Sequence, residues 1–67
     1  MRISGRNQLS GKIQHVKMGE VMGEVLIDIG GKQITAAITR SSVEEMGLKA
    51  GDNVTALIKS TSVMLMK

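Results

Sequence analysis

The stretch VMGEVLIDIGGKQITAAIT, residues 21–39, contains two segments of alternating apolar residues joined by a pair of glycines. The apolar positions of the first segment are Val21, Val25, Ile27 and Ile29. Those of the second segment are Ile34, Ala36 and Ile38. Alternation with a period of two is typical of strands that bury one face. Because Gly30-Gly31 permits the positive φ angles of a tight turn, the stretch predicts a β-hairpin.

The sequence on either side of this hairpin predicts further strands. Residues 10–18 are strand-like, but the apolar residues Ile13 and Val16 are three positions apart, which predicts a bulge or a change of face. Residues 54–59 alternate again, with Val54, Ala56 and Ile58 on one face. Residues 63–66, VMLM, are the expected last strand.

A change of period between the third and fourth predicted strands indicates a short helix. Ser42 and Glu45 fit a capping box, and Gly47 fits a left-handed residue at the helix end. Five short strands with one helix between the third and fourth predict an all-β fold, a small antiparallel barrel of the OB kind. No linker or internal repeat divides residues 1–67, so a single domain is expected.

Composition predicts that this domain assembles with copies of itself. A chain of 67 residues without cysteine has neither disulfides nor a Cys-ligated metal to compensate for its small core. Strand faces that should meet water also carry apolar residues, and these are Met22, Leu26, Ala37, Leu57, Met64 and Met66. Subunit contacts would bury them, whereas the alternative is a scatter of surface Met and Leu.

Several function classes are disfavoured by the same composition. With no cysteine and a single histidine, His15, the chain offers no nucleophile, base and orienter set, so we expect no enzyme activity. A net charge of +3 and an OB-like fold favour a nucleic-acid-binding module as a rival, but the aromatic residues on which bases stack are absent. No apolar run approaches a membrane helix, and the opening residues do not resemble a signal peptide, so the expected compartment is the cytoplasm.

Two short segments are rich in hydrogen-bond donors and contain no carboxylate. They are residues 4–8, SGRNQ, and residues 59–62, KSTS. If the two converge, they form a small pocket that surrounds an anion with charge-assisted hydrogen bonds. The first turn of the helix, with Ser42, would add backbone N–H groups. The alternative interpretation is that these residues only make turns at strand ends.

Nearly the whole chain resembles the molbindins, the single-domain Mop proteins of the TOBE type. The resemblance is carried by SGRNQL (4–9), ITAAIT (34–39), SVEEMGLKAGD (42–52) and VTALIKSTSV (54–63). Gly5 departs from the alanine expected in the opening motif, and residues 14–19 match less distinctly. Gly5 should be tolerated because no side-chain donor is lost.

This resemblance implies a cytoplasmic protein that binds and stores molybdate, and tungstate as its near twin, without another cofactor. It implies a homohexamer, a trimer of dimers, with oxyanion sites at subunit interfaces and with no nucleic-acid or membrane partner. The site residues that it implies are Ser4, Arg6, Lys59 and Ser60, followed by Thr39 and Ser42 from a neighbouring subunit. Arg6 and Lys59 would neutralise the dianion and the hydroxyls would hold its oxygens, so no metal is ligated directly by side chains.

Overall fold

A computed structural model describes residues 7–67 as a single curled antiparallel sheet with one short helix. The elements are β1 (Asn7–Met18), β2 (Met22–Asp28), β3 (Gln33–Thr39), α1 (Arg40–Met46), β4 (Asn53–Ile58) and a 3₁₀ turn at Ser60–Ser62. The sheet order is β3-β2-β1-β4. The predicted all-β class is confirmed, as is the position of the helix between the third and fourth strands.

The central hairpin forms as predicted. Gly30 and Gly31 have φ angles of 80° and 91°, which a residue with a Cβ rarely adopts. The Ile29 N–H donates to the Lys32 carbonyl at 2.7 Å, and the Gly31 N–H donates to Asp28 Oδ1 at 2.9 Å. Val21, predicted to share the buried face, instead precedes β2 and is exposed.

The long strand β1 shapes the sheet because it pairs with a different neighbour in each half. Its first half pairs with β4, from Asn7 opposite Ile58 to Lys12 opposite Asn53. Its second half pairs with β2, and the register shifts between Ile13 and His15, which confirms the predicted bulge. The change of partner and the bulge curl the sheet into a half-barrel.

The concave face of this half-barrel holds the core. Its buried side chains are Ile13, Val25, Ile27 and Val43. The first three come from β1 and β2, while Val43 comes from α1 and covers the sheet beside Gly23. A Cβ on Gly23 would lie 2.9 Å from Val43 Cγ2, so the glycine gives the helix room to pack closely.

The helix begins earlier than the predicted capping box. Its N-cap is Thr39, whose side-chain oxygen accepts from the Ser42 N–H, so the assignment of Ser42 as the cap is wrong. β3 runs into α1 without a loop, and the last strand residue therefore caps the helix. Gly47 ends the helix in the left-handed region, with φ 62°, as predicted.

The predicted fifth strand does not form, and within residues 7–67 the sheet has four strands. Val63, Met64, Leu65 and Met66 are 48%, 91%, 93% and 100% exposed. A strand needs an edge to pair with, and these residues follow a 3₁₀ turn that leads them away from the sheet. As a result β3 and β4 remain unpaired edges on either side of an apolar groove of about 490 Å³. Neither helical segment of the described chain has the length and apolar character needed to cross a membrane.

Candidate anion-binding site

The first part of the predicted site lies where β4 ends. Lys59 and Ser60 directly follow Ile58, whose partner across the sheet is Asn7, the first residue described. Ser4 and Arg6 lie outside the described residues. Lys59 follows Ile58 directly, so one of the two predicted cations lies at the end of this cross-strand pair.

The turn at Lys59–Ser62 suits an anion because its first two carbonyls are already engaged. The carbonyls of Lys59 and Ser60 accept the N–H groups of Ser62 and Val63, at 2.9 and 3.3 Å. The side chains of Lys59 and Ser60 are exposed. In the described chain the one ion pair is Arg40 with Glu44, at 3.3 Å, so no carboxylate in residues 7–67 neutralises Lys59. The turn therefore presents an ammonium and a hydroxyl, with little repulsion toward an oxyanion.

The second part of the predicted site lies at the start of α1. Thr39 Oγ1 donates to Ser42 Oγ at 2.7 Å and accepts from the Ser42 N–H at 3.2 Å. Ser41 Oγ lies 3.3 Å from the same threonine oxygen. These hydroxyls thus form an exposed cluster whose first task is to cap the helix.

Within one chain these two parts are far apart. Thr39 pairs with Met22, which lies beside Met18 at the end of β1. Lys59 follows Ile58, which pairs with Asn7 at the beginning of β1. β1 contains 12 residues, which span on the order of 30 Å at the usual rise per strand residue. A single protomer therefore does not bring Thr39 and Lys59 to one ligand.

Other polar groups of the described chain serve the fold. Arg40 spans from Glu44 to the carbonyl of Gly19, with both contacts at 3.3 Å, which ties the helix to the turn before β2. Among residues 7–67 no three His, Cys, Asp or Glu side chains cluster in a way that could hold a metal. One contact was not predicted from the sequence. Asn7 Nδ2 donates to the Ile58 carbonyl at 3.2 Å. A polar residue in line with Leu9 and Ile13 was the available signal.

Comparisons with known proteins show the family of the chain. The TOBE domain matches residues 3–65. Molybdenum-pterin-binding protein 1 of Clostridium pasteurianum is 51% identical over 67 residues, covering 98% of each chain.

Two solved structures extend the similarity to the fold. A molybdate-binding protein from Sporomusa ovata superposes with a TM-score of 0.96 at 42% identity, covering 100% of both chains. The cytoplasmic molybdate-binding protein ModG, solved with molybdate bound, superposes with a TM-score of 0.84 at 39% identity. That match covers 90% of this chain and 43% of ModG.

Proposed function

Because the chain belongs to the TOBE-domain family, and within it to the molybdenum-pterin-binding Mop proteins, we propose that it binds molybdate reversibly. The observation that carries the proposal is the end-to-end match to the Sporomusa ovata molybdate-binding structure. The Lys59–Ser60 turn adds a chemical reason, since it offers donors beside acceptors that are already bonded. The anion would be held by hydrogen bonds and charge, without covalent chemistry.

The donor-rich character of these segments gives a physical basis for selectivity. Molybdate is fully deprotonated at neutral pH, so each of its oxygens accepts hydrogen bonds, whereas phosphate largely keeps a proton that needs an acceptor. A pocket that contains two cations and no carboxylate offers that proton no acceptor stronger than a hydroxyl, and a proton left unpaired costs about 1 to 3 kcal/mol. Sulfate has the same charge as molybdate, so its rejection must depend on cavity size. Tungstate matches molybdate in charge and closely in size and should bind in the same way.

The role that follows is storage and buffering of the oxyanion in the cytoplasm. ModG, of which 43% matches 90% of this chain, is a cytoplasmic molybdate-binding protein. The similar proteins compared above are binding proteins, and we propose no catalytic activity for this one. The expectation that it binds no nucleic acid stays a prediction.

The proposed site requires more than one copy of the chain. Thr39 and Ser42 lie at one end of β1, and Lys59 and Ser60 at the other, so a ligand that touches both parts must touch two protomers. The groove between β3 and β4 is apolar, and residues 63–66 of the same chain leave it uncovered. Residues 63–66 of a second copy are the proposed occupant, because they are apolar, exposed and directly attached to Lys59–Ser62. This arrangement favours a homo-oligomer, with the hexamer as the proposed form.

Equilibrium dialysis against molybdate, followed by elemental analysis, tests the binding proposal. We expect Lys59→Ala to weaken molybdate affinity roughly 10-fold to 100-fold, because a charge-assisted hydrogen bond is removed while the core is untouched. Assembly should persist, since the Lys59 side chain is exposed at the strand end.

Lys49→Ala is the matched control for that variant. It removes the same charge before β4, at the far end of that strand from Lys59, and should leave the affinity unchanged. Equal affinity in the Lys59→Ala protein would refute the role of Lys59. A salt-dependent gel shift without molybdate uptake by the natural protein would favour the nucleic-acid-binding module, and an assembled protein without uptake would favour a purely structural domain.

A further inference from the structure

One polar side chain lies on the otherwise apolar inner face of β1. The inward row of this strand consists of Asn7, Leu9, Gly11 and Ile13, all of them half-buried or buried. Asn7 stands at the end of the row where β4 passes into Lys59. Shielding an amide from water costs free energy unless the group is hydrogen-bonded, so the partner of Asn7 indicates what the residue does.

That partner is the carbonyl group immediately before Lys59. Asn7 Nδ2 donates to the Ile58 oxygen at 3.2 Å, between residues 51 positions apart in sequence. The Ile58 carbonyl and the Lys59 N–H belong to one planar peptide unit, and in a trans peptide they point in opposite directions. The pairing of Ile58 with Asn7 in the sheet and the Asn7 amide together hold this oxygen, and they therefore also set the direction of the Lys59 N–H and of the turn that follows.

The same hydrogen bond changes what the strand end offers to an anion. A carbonyl oxygen is an acceptor, and one left open beside Lys59 would repel an oxyanion. The Asn7 amide occupies this oxygen, just as the Ser62 and Val63 N–H groups occupy the next two carbonyls of the chain. Three successive carbonyls, from Ile58 to Ser60, are thereby engaged within the protein.

We propose that Asn7 is a positioning residue of the anion site, which orients the Ile58–Lys59 peptide so that Lys59 and Ser60 face the oxyanion. This inference rests on the proposed function. It assigns to Asn7 an effect on affinity that acts through Lys59 and requires no contact between Asn7 and the ligand.

Isothermal titration with sodium molybdate, run beside thermal unfolding and native mass spectrometry, tests this role. Asn7→Leu places an apolar side chain in line with Leu9, so the unfolding midpoint and the assembly should be preserved. Molybdate affinity should fall roughly tenfold, because the peptide before Lys59 loses its side-chain restraint and keeps only the sheet pairing. Asn7→Asp keeps the shape but places a carboxylate oxygen against the Ile58 carbonyl, and its loss of affinity should be larger.

Gln14→Leu is the matched control on the same strand. It removes another side-chain amide hydrogen bond, from Gln33 Nε2 to Gln14 Oε1 at 2.6 Å, but at the bulge. Its molybdate affinity should equal that of the natural protein.

The outcomes separate this inference from the proposed function. Absence of molybdate uptake by the natural protein overturns both. If the natural protein binds molybdate and Asn7→Leu binds it with equal affinity, only the role of Asn7 is overturned. A residue with a merely structural role would change the unfolding midpoint and leave the affinity unchanged. If Asn7→Leu does not fold, undiminished affinity in Asn7→Asp has the same consequence.

Discussion

At the scale of single residues, Gly11 lets β1 change partners. A Cβ at this position would lie 2.6 Å from Ile27 Cγ2 and 2.7 Å from the backbone oxygen of Asp28. The first contact involves a core side chain and the second the main chain of β2, so neither atom can move aside freely. The absence of a side chain at Gly11 thus permits the close approach of two strands on which the half-barrel depends.

Gly11→Ala should therefore destabilise the protein by about 1 to 3 kcal/mol, the usual cost of overpacking a well-filled site. Urea unfolding followed by circular dichroism measures the difference. Ser10→Ala is the control, because the neighbouring Ser10 is exposed and its change should stay within about 0.5 kcal/mol. An unaltered midpoint for Gly11→Ala would show that β1 and β2 are farther apart than the structure places them.

At the scale of elements, the helix shows how β3 and α1 share one residue. Thr39 ends the strand opposite Met22 and caps the helix through the Ser42 N–H. Val43, which directly follows Ser42, packs on the core and is 3% exposed. Because Val43 covers the sheet beside Gly23, the cap also determines how well the core is closed.

Thr39→Ala should lower the free energy of unfolding by about 1 kcal/mol, because the helix loses its side-chain acceptor. Thr39→Ser keeps the hydroxyl and should fall within a few tenths of a kcal/mol of the natural protein. Chemical denaturation without molybdate isolates this effect from ligand binding. Equal stability of the alanine and serine variants would contradict the capping role.

The elements also show which features a sequence pattern can predict. The hairpin and the bulge were predictable because alternation and its interruption at Ile13 and Val16 are local properties. The helix cap was misplaced because Ser42 and Glu45 satisfy the capping-box pattern, whereas Thr39 caps the helix with a serine three residues later, and only the end of β3 marks it as the cap. For the proposed site, the pattern predicted a donor-rich segment at residues 59–62, but the part proposed for Asn7 depends on a partner 51 residues away.

At the scale of the whole molecule, the isolated chain is an unfinished barrel. Its two edge strands face an apolar groove, and residues 63–66 are an apolar segment without a partner in the described chain. The prediction of a strand at residues 63–66 is wrong for the single chain, in which these residues pair with neither edge of the sheet. A second copy offers such an edge and would bury both surfaces together.

Leu65→Glu tests this arrangement, because Leu65 is 93% exposed in the single chain and would be buried only by another copy. Burying a leucine contributes roughly 1.5 to 3 kcal/mol, and a carboxylate in its place opposes burial, so we expect the variant to dissociate into smaller species. Native mass spectrometry and sedimentation measure the change.

Val21→Glu is the control, since Val21 is 73% exposed and lies outside residues 63–66, and this variant should assemble normally. A Leu65→Glu protein with the mass of the natural assembly would exclude residues 63–66 from the interface. Molybdate uptake should also fall when the assembly dissociates, because dissociation separates Lys59 from the Thr39 cluster of the neighbouring copy.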